Sequence, residues 1–264
     1  FTISDYYAIW ELGYRPDTHG HFLAHDLKES CALAVRAGVN VEAPEPNAYV
    51  HLTELVRDGV LREPELDELV TPILYWKFRL GLFDDPYVDP DRAARVVGSD
   101  RNRDLALRAA RETITLLRND GNVLPLDLAR LGTIAVIGPN ADRSLLGGYS
   151  GVPPHDITVL DGIKARVGGA AEILYSEGCK ITIGGSWTED AVTPSDPEED
   201  RRQIAEAVQV ASRADVIVLA IGGNEQTSRE AWSRKHMGDV TNLDLVGRQN
   251  EFVAAMLATG KPVV

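Results

Sequence analysis

Residues 133–138 read Thr-Ile-Ala-Val-Ile-Gly, an apolar run that ends at a glycine. A short continuous run of this kind is typical of a strand that is buried on both faces. The pattern recurs downstream, with strands predicted at 171–175, at 215–222 and from 261 onward, and helices at 160–167, 198–213 and 247–259. Apolar strands that alternate with amphipathic helices predict a parallel sheet covered on both faces.

The first third of the chain has the same alternation of strand and helix. A short strand at the start leads into a loop, a helix at 26–37, a strand at 39–42, and helices at 49–57 and 64–80. Pro72 is expected to kink or split the last of these helices, because proline lacks the N–H that a helix interior needs. The order of elements is typical of a parallel sheet or barrel.

The stretch from Phe83 to Pro90 breaks the periodicity with two prolines and several acids, and we expect a domain boundary there. A further helix is predicted at 104–118. The chain opens in mid-strand without a methionine and stops as a strand begins. We therefore expect it to be a piece of a longer polypeptide.

Composition excludes several classes of function. The net charge of −13 argues against a nucleic-acid partner, which requires clustered Lys and Arg. No apolar run approaches the 18 residues that a membrane-spanning helix needs. Cys31 and Cys179 have no metal or redox spacing, and we interpret both as buried or incidental thiols rather than a disulfide.

Three histidines lie in the loop before the first helix, at His19, His21 and His25. A metal site is one interpretation of this group. Ordinary hydrogen-bonding loop histidines are the alternative, and we prefer it because no acid or cysteine stands at ligand spacing. We expect neither a metal nor a cofactor.

Two strand ends in the second half carry polar loops, 138–142 and 222–232. Neither contains the Gly-x-Gly-x-x-Gly phosphate cradle, which argues against a dinucleotide site. The second loop extends about 25 residues to Gly247 and contains Asn224, Glu225, Glu230 and Trp232. Aromatic and acidic side chains together suit a carbohydrate ligand; the alternative is a solvated loop that Trp232 pins to the core.

Asp5 follows the short apolar strand at the start of the chain. The carboxyl ends of strands are where α/β enzymes place their chemistry. The alternative is that Asp5 only caps the turn after the strand.

Several motifs follow one another in a fixed order over nearly the whole chain: Ser4-Asp5-Tyr6, residues 37–42, 77–83 with Pro86-Tyr87, 116–119, 124–126, 134–141 and 148–151. Taken together and in this order, they resemble glycoside hydrolase family 3. The Gly-Asn-Glu-Gln-Thr-Ser-Arg-Glu-Ala-Trp loop at 223–232 is most similar to the bacterial β-glucosidase branch of that family.

The resemblance implies an α/β fold: the terminal part of a (β/α)8 barrel at 1–82, a linker and connecting helix at 83–118, and a parallel-sheet α/β sandwich domain at 119–264, truncated at its end. It implies that Asp5 is the nucleophile and that Glu230 is the acid/base, with Glu225 as the competing candidate. Tyr6, Trp232 and Glu225 are the implied substrate contacts.

The resemblance further implies a retaining, exo-acting β-glycosidase, a β-glucosidase with β-xylosidase as a second activity. Its substrate would be a β-linked oligosaccharide or an aryl or alkyl β-glucoside. The alternatives are a non-catalytic sugar-binding or scaffold fragment, and a family member that uses phosphate as acceptor, for which a histidine acid/base would be needed in place of Glu230.

The sequence departs from the family pattern in three ways. The aspartate, arginine and Lys-His pair that hold the sugar in family members are missing, so we do not expect this chain to act alone. Arg118 stands where lysine is commoner, and Pro72 lies in a helix that is usually unbroken. The expected partners are the missing part of the same enzyme or further copies of the chain, and a periplasmic or secreted location is favoured over a cytoplasmic one.

Overall fold

The structure of the protein is a computed structural model that describes residues 1–13, 20–153, 155–184, 189, 191–230, 235 and 237–264. His19 and Trp232, both singled out above, lie outside the described residues. The chain divides into two compact units, Phe1–Thr113 and Ile114–Val264.

Among its described residues, the first unit contains two parallel strands and five α-helices. Strand β1 pairs with β2 through Thr2 with Val39, Ile3 with Val41 and Tyr6 with Ala43. The elements are β1 (Thr2–Tyr6), α1 (Leu27–Arg36), β2 (Val39–Ala43), α2 (Leu52–Arg57), α3 (Glu63–Arg79), α4 (Pro90–Val96) and α5 (Asp100–Thr113), with short 3-10 turns at Trp10–Leu12 and Tyr49–His51.

Helix α1 connects the two strands and forms the centre of this unit's core. It begins at Asp26, whose side chain accepts the backbone N–H of Glu29 and satisfies a donor that the first turn leaves open. Its inner face carries buried Cys31 and Val35, which belong to the same cluster as Leu55 of α2 and Leu69 of α3. The predicted succession of strand, helix and strand is confirmed.

Pro72 was expected to kink or split its helix, and the split is wrong, because α3 is one helix of 17 residues. Proline removes the hydrogen bond to the carbonyl four residues earlier, that of Glu68. Glu68 is exposed, so water can bind that carbonyl. The buried side chain of Leu69 also holds this part of the helix against the core.

The helix predicted at 104–118 differs in both bounds, since α5 begins at Asp100 and ends at Thr113. The β-branched residues Thr113, Ile114 and Thr115 follow one another at its end. Such residues lose side-chain freedom in a helix, which accounts for the earlier termination.

The second unit is a three-stranded parallel sheet with helices between its strands. The strand order is β4-β3-β5, and Val263 adds a single parallel bridge to Ile217, where a further strand was predicted to begin. The elements are β3 (Thr133–Ile137), α6 (Val159–Val167), β4 (Glu172–Ser176), α7 (Pro197–Ser212), β5 (Val216–Leu219) and α8 (Gln249–Ala258), preceded by a 3-10 turn at Asp120–Asn122.

Successive residues of β3 and β5 point to opposite faces of this sheet and enter two different cores. One core contains Ala135, Ile137 and Ile217 with residues of α7 and α8 such as Ile204 and Phe252. The other core contains three further strand residues and residues of α6: Ile134, Val136, Val216, Leu160 and Val167. The predicted parallel sheet covered on both faces is confirmed.

Both cysteines are free and buried, as predicted. Within the described part of the chain, none of the helices has the length and apolar character needed to cross a membrane. The same residues contain no group of three or more His, Cys, Asp or Glu side chains that could hold a metal ion.

Candidate active site

Asp5 lies near the carboxyl end of β1 and is exposed to solvent. Its carboxylate accepts the backbone N–H of Tyr6 at 2.8 Å. This single local hydrogen bond orients the side chain while leaving it accessible, which is the condition that an attacking carboxylate must meet.

The backbone on both sides of Asp5 is held by one residue of β2, Ala43. The Ser4 hydroxyl oxygen accepts the Ala43 N–H at 3.0 Å, and the Tyr7 N–H donates to the Ala43 carbonyl at 2.9 Å. Tyr7 has a φ of 63°, a left-handed conformation that a non-glycine residue adopts only when its surroundings impose it. The end of β1 is therefore fixed by its pairing with the neighbouring strand.

Glu42, at the end of β2, is a buried acid to which the sequence assigned no role. It is 7% exposed, and its carboxylate accepts the backbone N–H groups of Ala48 (3.0 and 3.1 Å) and Tyr49 (2.7 Å). These bonds tie the segment after β2 to the end of that strand. The only signal in the sequence was an acid at a strand end before Pro44 and Pro46.

Tyr6 presents an aromatic surface beside Asp5, with 56% of its area exposed. Its ring contacts that of Tyr7 edge-on at 6.2 Å, and the Tyr7 ring contacts Trp10 in the same way, also at 6.2 Å. An exposed ring next to a carboxylate offers both an apolar face for a sugar ring and acceptors for its hydroxyls.

A cavity of about 440 Å³ in the first unit is lined by residues that include Trp10, Asp26, Lys28, Ser30 and His51. Asp5 and Tyr6 do not line it. We therefore do not assign this cavity to the site around Asp5.

Glu230 lies in the second unit, in the loop that follows β5, and it is exposed. The backbone just before it packs closely: the Arg229 carbonyl accepts the Asp239 N–H at 3.3 Å, and a Cβ atom on Gly238 would lie 2.0 Å from that same carbonyl oxygen. The Arg229 side chain donates to the Glu189 carbonyl at 2.8 Å. These contacts hold the backbone next to Glu230 locally.

The first turn of this loop is organised by Asn224, which is buried. Its side-chain oxygen accepts the N–H groups of Gln226 and Thr227, both at 3.1 Å, and its amide donates to the Thr182 hydroxyl at 2.7 Å. The Thr227 hydroxyl oxygen accepts the Asn224 N–H at 3.0 Å. A buried polar network that is satisfied in this way favours one conformation of the turn.

The two strand ends singled out from the sequence meet in the structure. Asn140 follows β3. Its side-chain amide donates to the Gly223 carbonyl at 3.0 Å, and its backbone N–H donates to the Ala220 carbonyl at 3.1 Å. This contact is expected where neighbouring parallel strands end at the same edge of a sheet.

Glu225 is engaged within its own unit. Its carboxylate lies 3.5 Å from the Arg143 guanidinium, and its side chain is 24% exposed. Glu225 and Glu230 therefore differ: the first faces a cation beside the sheet, and the second lies on the exposed part of the loop.

Each unit thus carries one exposed candidate acid: Asp5 near the end of β1 in the first unit, and Glu230 in the loop after β5 in the second. Residues 114–264, more than half of the chain, match the glycosyl hydrolase family 3 C-terminal domain. The chain belongs to glycoside hydrolase family 3, as the sequence motifs predicted.

Two curated relatives support the assignment at the level of sequence. A β-xylosidase from Formosa agariphila is 35% identical over 92% of this chain and 33% of its own length. A periplasmic β-glucosidase from Salmonella typhimurium is 35% identical over 100% of this chain and 34% of its own length. The chain thus spans about a third of the length of these relatives.

Solved structures of β-glucosidases have the same fold. One from Erythrobacter marinus has a TM-score of 0.89 at 38% identity and covers 100% of this chain and 35% of its own. One from Listeria innocua in complex with glucose has a TM-score of 0.75 at 30% identity and covers 99% of this chain and 32% of its own. The predicted fold class is confirmed.

Proposed function

We propose that the chain is the catalytic-residue-bearing part of a retaining, exo-acting β-glycosidase. The enzyme removes terminal non-reducing sugars from β-linked oligosaccharides and from aryl or alkyl β-glucosides. It is a β-glucosidase, with β-xylosidase as a second activity. The observation that carries the proposal is the exposed carboxylate of Asp5 at the end of β1, next to the exposed ring of Tyr6.

The names of related proteins support this substrate class. Curated relatives are named as β-glucosidase and β-xylosidase, and the Listeria innocua β-glucosidase has been solved with glucose and, in a variant, with laminaribiose. The periplasmic relative also supports a periplasmic or secreted location for the enzyme.

In the proposed mechanism, Asp5 attacks the anomeric carbon and forms a covalent glycosyl-enzyme. Glu230 donates a proton to the leaving oxygen in this first step and accepts one from water in the second. A retaining mechanism requires the two carboxyl groups to approach to about 5–5.5 Å in the working enzyme.

Glu230 is the preferred acid/base because it stands at the position in the loop that the family resemblance assigns to this role, and Glu225, which lies beside Arg143, is the competing candidate. The proposal keeps Glu225, Tyr6 and Trp232 as contacts to the sugar. No metal or other cofactor takes part.

Activity is assigned to a polypeptide that also supplies the sugar-holding residues absent from this chain. The proposed organisation is barrel residues 1–82, linker and connecting helix 83–118, and sandwich residues 119–264. The division of the structure between Thr113 and Ile114 and the match at 114–264 both fall near the end of the proposed linker.

The decisive experiment uses Asp5→Ala and Glu230→Ala in the full-length enzyme, with Glu225→Ala to test the competing acid/base candidate and Glu172→Ala, at an exposed acid outside the proposed site, as the matched carboxyl control. We expect kcat on an aryl β-glucoside to fall about 1,000-fold or more for Asp5→Ala and about 100-fold or more for Glu230→Ala. Azide should restore turnover of an activated substrate selectively in Glu230→Ala, because it replaces the water that the glutamate activates.

A 2-deoxy-2-fluoroglucoside should label the peptide that contains Asp5, since it traps the glycosyl-enzyme. If both variants keep near-parental turnover, the assignment fails. Binding of glucose by calorimetry without hydrolysis would favour the alternative of a sugar-binding scaffold.

A further inference from the structure

The side chain of Gln249 contacts both ends of the loop that carries Glu230. Its oxygen accepts the Gly222 N–H at 2.9 Å, and its nitrogen donates to the Gly222 and Val246 carbonyls, each at 2.9 Å. Gly222 begins the loop after β5, and Val246 ends it just before α8. One amide therefore joins two backbone positions that are 24 residues apart.

These three bonds use both donors of the Gln249 amide and its acceptor, and the residue is 0% exposed. A buried amide with all its groups satisfied holds one orientation, because any rotation would leave a polar group unpaired without water. No shorter or apolar side chain at position 249 can form the same three bonds.

The loop depends on this side chain because the sheet does not extend to its first residue. Strand β5 ends at Leu219, three residues before Gly222. Gly222 has a φ of 138°, which turns the backbone out of the strand direction. Gln249 supplies the hydrogen-bond partners that a neighbouring strand would otherwise provide.

Gln249 itself is held firmly, since it is the first residue of α8. That helix is anchored by Phe252 and Met256, which are both fully buried in the same core as Ile217 of β5. Gln249 therefore attaches both ends of the loop to a helix that is packed in the core.

We propose that Gln249 is a positioning residue for the acid/base step. By fixing both ends of the loop, it determines the position of the Glu230 carboxyl group relative to the glycosidic oxygen; Glu230 lies eight residues after Gly222. This inference rests on the proposed function, because it assumes that Glu230 is the proton donor. A misplacement of about 1 Å in such a group costs on the order of 100-fold in rate.

The test compares two substrates in the full-length enzyme with Gln249→Met, which keeps the length of the side chain and removes the hydrogen bonds. Phenyl β-glucoside has a poor leaving group, so its cleavage depends on protonation of the leaving oxygen by the acid/base. 2,4-Dinitrophenyl β-glucoside has a good leaving group, and its cleavage depends little on that protonation. The value of kcat/KM is divided by the number of sites that a 2-deoxy-2-fluoroglucoside titrates. In Gln249→Met, we expect this value to fall on both substrates, and the fall should be about 10-fold or more larger on the phenyl substrate than on the dinitrophenyl substrate.

The matched control is Gln203→Met in α7, whose amide donates within its own helix, to Glu199 at 3.0 Å. It should leave the ratio of the two kcat/KM values at the parental level. Gln249→Asn keeps an amide but withdraws it by one methylene group; it provides the same measurement if Gln249→Met does not fold.

A fall in the number of titrated sites with an unchanged ratio means that Gln249 only stabilises the fold, and this overturns the inference. Failure of the parent enzyme to titrate at Asp5 would instead overturn the proposed function. The two failures are therefore distinguishable in one set of measurements.

Discussion

The hydroxyl oxygen of Ser4 accepts the backbone N–H of Ala43 at 3.0 Å, which links the residue before Asp5 to the neighbouring strand. The Ala43 carbonyl in turn accepts the N–H of Tyr7, two residues after Asp5. The candidate nucleophile thus lies between two hydrogen bonds to a single residue of β2, and small backbone shifts at this point would move its carboxylate.

Removal of the Ser4 hydroxyl should therefore impair catalysis more than it impairs folding. For Ser4→Ala in the full-length enzyme, we expect kcat for an aryl β-glucoside to fall about 10-fold, because the Ala43 N–H loses its partner and the strand end relaxes. Thr2→Ala in the same strand is the control, since there the backbone N–H rather than the hydroxyl contacts Asn40. Equal turnover in the two variants would remove Ser4 from the positioning of Asp5.

Loss of the Glu42 carboxylate should loosen the segment after β2. In Glu42→Ala, the N–H groups of Ala48 and Tyr49 lose the acceptor that the structure gives them. Each unmade bond to a charged acceptor is worth about 1.5–3 kcal/mol, so we expect these two amides to exchange with solvent roughly 10- to 100-fold faster. Hydrogen exchange of the peptide that covers 43–51 measures this.

Glu45→Ala is the matched control for that measurement, because Glu45 is an exposed acid in the same segment. Its exchange rates should equal those of the parent enzyme. Unchanged protection in Glu42→Ala would contradict the role that the geometry gives to this carboxylate.

Both thiols should resist modification in the folded protein. Burial, the largest cause, raises the pKa of Cys31 and that of Cys179 to about 12, each reinforced by a nearby carboxylate, Glu42 for the first and Asp200 for the second. At pH 8 both are protonated and out of reach of reagents such as Ellman's reagent. We expect no reaction in native conditions and two thiols per chain in guanidinium; rapid reaction of either native thiol would contradict the burial.

Much of the fold could be predicted from the sequence, because the sandwich strands are continuous apolar runs. The predicted strand at 133–138 is observed as Thr133–Ile137. The errors arose where a single rule was applied alone. Burial of Leu69 holds α3 together around Pro72, and the β-branched residues 113–115 end α5 before its amphipathic pattern ends.

The site was only partly predictable, for a physical reason. Asp5 and Glu230 could be singled out as candidates because they lie in motifs at strand ends, and their roles stay predictions. Glu42 and Gln249 were missed because a polar residue at a strand end or helix start is usually exposed, and only the folded chain shows that both are buried against backbone groups.

Asp215 should make the second unit sensitive to acid. Its carboxylate accepts the N–H groups of Thr133 at 2.9 Å and Gly132 at 2.8 Å, and these bonds lower its pKa below the usual value of 3.8. A lowered pKa contributes stability that is present above the unfolded value and is lost as pH falls through the folded value. Asp215→Asn should therefore be less stable than the parent at pH 7, and the difference should shrink below about pH 4.

Thermal unfolding at pH 7, 5 and 3.5 measures this difference for Asp215→Asn, and Glu172→Gln, an exposed acid at the start of β4, is the control. The control should show no such dependence. A difference that grows on acidification would have the wrong sign for a carboxylate held in its ionised form.

Gly138 should tolerate no side chain, because two independent constraints meet there. Its φ is 137°, which L-residues rarely adopt, and a Cβ atom would lie 2.2 Å from the Ala220 carbonyl oxygen. Backbone strain and overpacking each cost about 1–3 kcal/mol, so we expect Gly138→Ala to destabilise the unit by about 3 kcal/mol. For a unit of this size, that loss lowers Tm by roughly 6–12 °C.

Gly260→Ala separates the two causes, since Gly260 has a φ of 71° but open space around it. The Tm of this variant should fall by only about 2–4 °C. Equal losses in the two variants would show that β3 and β5 do not approach as closely at Gly138 and Ala220 as the structure has them.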